Sequence, residues 1–379
     1  METKRLNTLF IYNPADLNAE IPGGVQVCSQ KYQKLVEGIS KEMSLFEVHY
    51  NKSFKFRALY KANLAAYQSY QPKDYLSALT KLIKEKKITH VFLNKAELLC
   101  FSKIIKSSFS TPPKIIILSH GNESGDLLGD LTSKSPTYAG IKRLFGIWRL
   151  GLSLYKESFY RKRYLDFICT LSSEERAIEK WLGMNDPIYF PYSIVHPITV
   201  DRKPNLSRFG YIGTLNHSPN VSGLIDLFNS IDQSIFKGQI RIIGGPTHIG
   251  DNLQEKYPFV EYVGHLTNTA LINEIKTWGF FLNPTFYYAR GASMKLAKAI
   301  EFEIPVITTH AGRRGYDWLD GHMIEVDESP RQFAAKMEAC QITTEEYAEM
   351  VVEIKKIKNS SPSLAEQSAT LLEKLTVQN

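Results

Sequence analysis

The amino-acid sequence predicts an α/β protein made of two tandem Rossmann-like domains, each built on a parallel, doubly wound sheet. Short apolar runs typical of buried strands alternate with helical patterns along most of the 379 residues. The alternation lapses around residues 191–207, which are polar and rich in proline, and then resumes. A chain of this length is long for one core and fits two domains. We predict an N-terminal domain over 1–195, a C-terminal domain over 196–355, and a C-terminal helix over 356–379 that crosses back to the first domain.

The first half of the chain contains apolar or alternating runs that predict strands at residues 9–12, 45–50, 90–94, 115–118, 167–170 and 188–190. Between the first two runs, apolar residues recur at helical spacing after the loop Pro22-Gly23-Gly24. Ser172 and Glu175 have the spacing of a capping box, so we expect a helix to begin there.

The second half repeats the pattern, with predicted strands at residues 209–213, 240–243, 260–263, 280–282, 306–308 and 323–326. Ser218-Pro219 predicts a helix start, with serine as the N-cap and proline at the first helical position. The architecture repeats although no sequence repeat is present.

Composition excludes several classes of protein. A hydrophobic content of 43% with 22% charged residues is typical of a globular chain. The net charge of +7 is spread among mixed charges, so we expect no nucleic-acid partner, whereas an anionic ligand or membrane surface is compatible. The apolar run near the N-terminus is too short for a signal peptide or a membrane span, which predicts a cytoplasmic location.

The cysteines indicate a reduced compartment and no structural zinc. Cys28, Cys100, Cys169 and Cys340 are far apart in apolar segments, and there is no CxxC pair or Cys/His cluster. There is also no DxD triplet, so we expect no catalytic metal, and no cofactor is predicted.

One stretch near the C-terminal end predicts an anion site. An apolar strand ends at Asn283, Gly291 opens a helix, and Pro305 leads into the next strand. Backbone amides at the start of such a helix bind phosphate, and Arg290 and Lys295 add positive charge. The alternative is an ordinary βαβ crossover with a solvated basic face.

Several motifs, in order, resemble bacterial glycosyltransferases of family four. The run 209–220 with Gly223-Leu224 resembles the opening of their donor domain, and 262–266 resembles their strand and loop against the nucleotide base. Residues 291–309 with 311–315 resemble their diphosphate helix and the strand after it. In the first half, the glycine pair of 22–24 and His120 match residues of the acceptor domain. The resemblance implies the GT-B fold, with a cleft between the two domains.

The resemblance further implies a retaining transfer from a nucleotide-diphosphate sugar to a glycan or lipid-linked acceptor, in surface polysaccharide synthesis. It assigns catalysis to His120 and Lys295. The implied donor-binding residues are Gly23, Gly24, Gly213, Thr214, His265, Leu266, Arg290, Gly291, Ala292, Ser293 and Lys298. Glu123 and Asp126 are either acceptor ligands or solvated loop acids.

Two positions depart from the family pattern. Relatives usually carry two glutamates eight positions apart, one contacting the donor sugar and one the ribose, where this chain has Arg290 and Lys298. These two bases keep open a different class of function, that of a non-catalytic relative acting as a partner subunit. A dehydrogenase is disfavoured because the first strand is not followed by G-x-G-x-x-G.

The segment 141–164 combines basic and aromatic residues. It is either a helix that rests on an anionic membrane, which would place the protein at the inner face of that membrane, or a helix that packs its apolar side on the first sheet.

Overall fold

The computed structural model describes residues 5–18, 23–62, 64–132, 138, 140–194, 200–287, 290–316, 324–326, 329–339 and 342–377. The chain divides into two compact units. The first comprises Met1–Pro191, Arg290–Ala292 and Pro362–Asn379, and the second comprises Tyr192–Ala289 and Ser293–Ser361. The domain boundary predicted at 195/196 lies outside the described residues, as do Pro22 and Cys340.

The first unit is built on a parallel sheet of six described strands. In chain order these are β1 Leu6–Tyr12, β2 Ser40–Glu47, β3 His90–Asn94, β4 Lys114–Leu118, β5 Phe167–Thr170 and β6 Ile188–Tyr189. Their order across the sheet is β2-β1-β3-β4-β5-β6. The central strands are apolar on both faces because helices cover both sides of the sheet, as parallel sheets require.

Helices follow most of these strands. They are α1 Gly24–Ile39, α2 Phe54–Lys61, α3 Leu76–Glu85, α4 Cys100–Ser107, α5 Glu123–Thr132, α6 Ile141–Tyr164 and α7 Ser173–Trp181, with α14 Leu364–Val377 from the end of the chain. Helix α14 packs on α1, where the Ser368 hydroxyl donates to the Leu35 carbonyl at 3.3 Å. The Gln367 amide also donates to the Pro191 carbonyl at 2.5 Å.

Strand β2 differs from the prediction. It begins at Ser40, directly after α1, and ends at Glu47, whereas the alternation predicted 45–50. Its pairing with β1 starts where Leu6 faces Ser40, and the Ser40 hydroxyl lies 2.6 Å from that of Thr8. The strand is at the sheet edge and mostly exposed, so its early residues carry no apolar signal.

The second unit contains another parallel sheet of six described strands. These are β7 Asn205–Ile212, β8 Gln239–Ile243, β9 Val260–Gly264, β10 Trp278–Asn283, β11 Val306–Thr309 and β12 Ile324–Val326. The order across the sheet is β12-β11-β10-β7-β8-β9. The aromatic rings of Phe209 and Phe280 stack at 5.5 Å between the central strands β7 and β10.

The helices of the second unit are α8 Ser218–Ser230, α9 Thr247–Lys256, α10 Asn268–Ile275, α11 Met294–Glu301, α12 Pro330–Glu338 and α13 Thr344–Asn359. Helix α8 begins one residue earlier than predicted: His217 is the N-cap, and Ser218 is the first helical residue. Pro219 still lies in the first turn, where its missing N–H costs nothing.

Helix α6 has one buried side and one exposed side, and its contact with a membrane stays a prediction. Its buried side includes the charged side chains of Glu157 and Arg161. Its N-terminal half exposes large apolar side chains, including Ile141, Leu144 and Trp148. Within the ranges described above, none of the helices has the length and apolar character needed to cross a membrane.

Candidate functional site

The carboxyl edge of the second sheet brings three glycine-containing loops together. Gly213 follows β7, Gly244 follows β8, and Gly264 ends β9, and parallel strands end at one edge. The Gly213 amide donates to the Ile243 carbonyl at 3.0 Å. Gly244 has φ +130°, and a Cβ there would lie 2.0 Å from the Gly213 carbonyl oxygen. Only glycine allows this close backbone contact, so no side chain can stand at this point of the edge.

The predicted donor residues Thr214 and His265 are exposed at this edge, and Leu266 is half-buried. The His265 ring lies against Gly245, where a Cβ would be 2.1 Å from Nε2. The Leu215 amide donates to the Gly245 carbonyl at 2.6 Å, which joins the loop of Thr214 to that of Gly245.

Lys295 lies on the first turn of α11 and is held by a neutral partner. Its Nζ donates to the Asn220 side-chain oxygen at 2.6 Å, and the Asn220 side-chain nitrogen donates to the Thr214 carbonyl at 2.8 Å. Burial, followed by the charge of Arg314, lowers the pKa of Lys295 to about 7. Within the described residues, the amine of Lys295 has this neutral hydrogen-bond partner and no carboxylate partner.

The start of α11 is fixed by Asn283, the last residue of β10. Its side-chain nitrogen donates to the Ser293 hydroxyl at 3.2 Å, the Thr308 hydroxyl at 3.1 Å and the Gly312 carbonyl at 2.7 Å. Ser293 is the N-cap, and its hydroxyl accepts from the Leu296 amide at 3.4 Å. Asn283 therefore sets the position of the turn that carries Lys295.

Two of the amides predicted to bind phosphate, those of Gly291 and Ser293, have protein partners in this structure. The Gly291 amide donates to the Glu175 carboxylate at 2.6 Å, and the Ser293 amide donates to the Arg314 carbonyl at 3.2 Å. Ser172 caps α7 as predicted, but the Glu175 carboxylate binds Gly291 and does not complete a capping box. Ala292 is buried.

Arg290, which belongs to the first unit, is bound by Glu123 and Asp126, two of the three acids of α5. Its guanidinium pairs with Glu123 and, at 2.9 Å, with Asp126, and its amide donates to Asp126 at 3.1 Å. Glu123 and Asp126 are therefore ion-paired on a helix and are not solvated loop acids, and their role as acceptor ligands stays a prediction. Lys298 is also paired, with Glu301 at 2.7 Å on its own helix.

His120 follows β4 at the carboxyl edge of the first sheet. Its Nε2 lies 3.0 Å from the Asn94 side-chain oxygen, and the Asn94 nitrogen donates to the Ser29 hydroxyl at 3.0 Å. Because that oxygen only accepts, Nε2 carries the proton and Nδ1 is an acceptor. Burial, with the charges of Lys95 and Arg290, holds the pKa of His120 well below its usual value, so the ring is neutral.

Gly23 and Gly24 are exposed at the first turn of α1. Gly23 is the N-cap, and its amide donates to the Gln26 side-chain oxygen at 3.0 Å. The same helix supports His120, because the Tyr32 hydroxyl donates to the Ser119 carbonyl at 2.6 Å.

A comparison with protein families identifies the second half of the chain. Residues 207–341 match the family model of the glycosyl transferases group 1. This stretch is a group 1 glycosyltransferase domain. In a comparison of the whole chain with curated proteins, none matches.

Solved structures share the fold of the glycosyltransferase over almost its whole length. Sucrose-phosphate synthase from Thermosynechococcus elongatus is 14% identical, with a TM-score of 0.67, 98% of this chain and 99% of that chain being covered. The lipopolysaccharide outer core galactosyltransferase WaaB is 14% identical, with a TM-score of 0.62 and coverage of 98% and 99%. Anabaena HepE, solved with UDP and glucose, is 12% identical, with a TM-score of 0.60 and coverage of 98% and 100%. The predicted GT-B fold, family and enzyme class are confirmed.

Sequence reasoning did not identify three residues that organise the carboxyl edge of the second sheet: Asn220, Asn283 and Arg314. Asn220 and Arg314 lie in runs already compared with the family, at 209–220 and 311–315, and Asn283 ends the strand that precedes the run 291–309. Their roles come from contacts across the sheet edge, which spacing along the chain does not report. Across the described ranges, no group of His, Cys, Asp and Glu side chains is arranged to hold a metal ion.

Proposed function

We propose that this glycosyltransferase moves a sugar from a nucleotide-diphosphate sugar to a glycan or lipid-linked acceptor, with retention, in the synthesis of a surface polysaccharide. The observation that carries the proposal is Lys295, bound to the neutral Asn220 and close enough to Arg314 for that charge to lower its pKa. A lysine that has no carboxylate partner in the described ranges, at the carboxyl edge of an open α/β sheet, suits a diphosphate.

The donor lies along the carboxyl edge of the second sheet in this proposal. Gly213 and Thr214 approach the diphosphate with their backbone, and His265 and Leu266 contact the base. HepE, which shares the fold, has been solved with UDP and with UDP-glucose, and this supports a uridine nucleotide as the first donor to test.

The chemistry depends on charge that develops on the departing diphosphate. Lys295 in its protonated form and Arg314 stabilise that charge, which is the largest catalytic contribution in many enzymes. These cations supply the positive charge, so the transfer proceeds without a metal ion. The leaving phosphate oxygen takes the proton of the acceptor hydroxyl as the new glycosidic bond forms on the same face of the sugar.

His120 binds a sugar hydroxyl in this scheme and does not act as a cation. Its ring is neutral and its Nε2 proton is directed to Asn94, so Nδ1 accepts a hydrogen bond. Gly23 and Gly24, at the start of the helix that supports the His120 turn, leave room for a substrate close to the backbone.

The exposed side of α6 contacts an anionic membrane in this proposal. Ile141, Leu144 and Trp148 have helical spacing and point outward, and Lys142 and Arg143 stand beside them. A basic and aromatic helix of this kind binds the interface of an anionic bilayer, where a lipid-linked acceptor resides.

Calorimetric titration tests the donor site. UDP, GDP, ADP and dTDP are titrated into the protein with and without magnesium, and the titrations are repeated on Lys295→Ala. Lys336→Ala, which removes an exposed helical lysine of the same unit, is the matched control. We expect one nucleotide to bind at micromolar concentration without a metal, Lys336→Ala to keep that affinity, and Lys295→Ala to lose it.

A second candidate function is favoured by the ion pairs of Arg290 and Lys298 with protein carboxylates. A chain that binds none of the four nucleotides is a non-catalytic relative acting as a partner subunit, and this outcome would reject the transferase proposal.

A further inference from the structure

The first unit contains a cavity of about 420 Å³ that none of the predicted site residues lines. It lies between α2, the segment that contains Tyr67 and Tyr70, and Cys100 at the start of α4. Its volume is in the range of small-molecule sites, which is about 300–1,000 Å³.

The walls combine aromatic rings with amide and carboxylate groups. Phe56, Tyr67 and Tyr70 supply the rings, and Asn51, Gln68 and Asp74 supply polar groups. The side chains of Gln68 and Asp74 make no hydrogen bond to any other residue in the described ranges. An aromatic ring packs against the C–H face of a pyranose, while amides and carboxylates bind its hydroxyl groups.

The two tyrosines are held rigidly by groups behind the cavity. The Asn13 amide donates to the Tyr70 hydroxyl at 3.1 Å, and the Tyr70 ring stacks on Tyr50 at 5.2 Å. The Tyr67 hydroxyl donates to the buried Glu157, although Tyr67 has φ +51°, a left-handed conformation that non-glycine residues rarely adopt. Strain of this kind is retained where the surroundings require one orientation, and here that orientation places the ring in the cavity wall.

Glu157 links this wall to the loop that follows His120. Its carboxylate accepts from the Tyr67 hydroxyl and, at 2.7 Å, from the Ser124 hydroxyl. Ser124 lies in the first turn of α5, four residues after His120. One hydrogen-bond network therefore connects the cavity wall to Asn122 and Ser124, which follow His120 in the chain.

Helix α2 covers one side of the cavity without being packed into the core. None of its residues is buried, and Phe54 is 87% exposed. Its Ser53 N-cap is held by Asn51, whose side-chain oxygen accepts from the Ser53 amide at 2.9 Å and from the Gln71 amide at 3.1 Å. The helix is thus anchored at its start, while the side that faces the cavity contributes Phe56 and Leu59.

We propose that this cavity binds one pyranose unit of the acceptor glycan, with Phe56 and Tyr67 against the ring and Gln68 and Asp74 on its hydroxyls. The proposal rests on the proposed function, because it takes the acceptor to be a glycan. In this proposal the cavity recognises a sugar ring of the acceptor other than the one that carries the reacting hydroxyl.

Saturation-transfer NMR without nucleotide tests the proposal. The probes are the methyl glycosides of glucose, galactose, mannose and N-acetylglucosamine at millimolar concentration. The variants are Phe56→Ala and, as the matched control on the same helix, Phe54→Ala, with circular dichroism to verify folding. We expect at least one glycoside to bind, Phe54→Ala to bind it equally, and Phe56→Ala to weaken it about five-fold. Hydrogen exchange of residues 51–74 should slow when that glycoside is present.

Two results would overturn the proposal. One is the absence of binding by all four glycosides, and the other is a glycoside that binds Phe56→Ala as well as it binds the control. UDP titration of the same samples separates this inference from the donor site. Loss of glycoside binding with intact UDP binding rejects only the cavity, and the reverse result rejects only the donor site.

Discussion

The Nζ of Lys295 donates to the side-chain oxygen of Asn220 at 2.6 Å, which joins the first turn of α11 to the first turn of α8. Asn220 also holds the Thr214 carbonyl, so one amide positions both the lysine and the loop after β7. An amide neither neutralises the lysine nor competes strongly with an anion. The contact therefore leaves the amine in place for a ligand that carries negative charge.

Binding of a nucleoside diphosphate should take up a proton at pH 8. The pKa of Lys295 is lowered to about 7 in the free protein, so at pH 8 most of the amine is neutral. A diphosphate favours the ammonium form and raises this pKa, which means that affinity falls as the pH rises above 7. Calorimetry in HEPES and in Tris, whose ionisation enthalpies differ, measures the uptake.

Lys295→Arg is the control for this prediction, since arginine stays charged across the whole range. It should bind without proton uptake, and uptake that persists in this variant would show that another group titrates. The free energy of unfolding depends on pH in the opposite direction from nucleotide affinity. The unfolded chain binds the Lys295 proton more tightly than the folded chain, so stability rises with pH between about 7 and the ordinary lysine pKa.

Lys298→Ala should weaken nucleotide binding by less than about three-fold. The Lys298 amine is already bound to Glu301 at 2.7 Å, so it contributes to a ligand only if that pair breaks. UDP titration compares it with Lys295→Ala, for which a much larger loss is expected. Equal losses in the two variants would mean that Lys298 leaves Glu301 and contacts the donor.

Arg290→Ala should lower the free energy of unfolding of the first unit by about 1–3 kcal/mol, because it removes the guanidinium that pairs with two partly buried carboxylates. Those acids, Glu123 and Asp126, lie in a cluster in which Glu97 and Asp16 also interact with Glu123. Urea denaturation measures the change, and Arg57→Ala, an exposed arginine of the same unit, is the control. Wild-type stability in Arg290→Ala would show that the ion pairs contribute nothing.

Asn283→Asp should destabilise the second unit more than Asn283→Ala does. The buried amide nitrogen donates to Ser293, Thr308 and Gly312, and a carboxylate cannot donate. We expect losses of about 2 kcal/mol or more for each variant, with weaker nucleotide binding because the start of α11 shifts. Thermal unfolding with and without UDP measures both effects, and an aspartate variant as stable as wild type would contradict the prediction.

Trp148→Glu should abolish binding to vesicles that contain anionic lipid. Trp148 is 58% exposed on α6 beside basic residues, and a carboxylate at this position opposes both insertion and charge attraction. Trp181→Glu, which changes a 71% exposed tryptophan on α7, is the matched control. Co-sedimentation with phosphatidylglycerol and with phosphatidylcholine vesicles provides the measurement. Equal binding by the two variants would reject α6 as the contact.

Most strands could be predicted because they are buried on both faces and read as continuous apolar runs, as 90–94 and 115–118 do. Strand β2 was misplaced because an edge strand has no such run. The cap at Ser172 could be predicted from local spacing, but the partner of Glu175 could not, since Gly291 is 116 residues away in the chain.

The fold class and the order of strands and helices could be predicted from the chain alone, because periodicity, glycines and caps act over a few residues, and the group 1 glycosyltransferase motifs were found by resemblance. Contacts in the tertiary structure show which of three cations is held by a neutral group: Arg290 and Lys298 are paired with acids, and Lys295 is bound to Asn220. Whether the charge of a side chain is neutralised depends on the groups within hydrogen-bond distance of it. For Arg290 and Lys295 that neighbour lies more than 70 residues away in the chain, so spacing along the sequence does not report it.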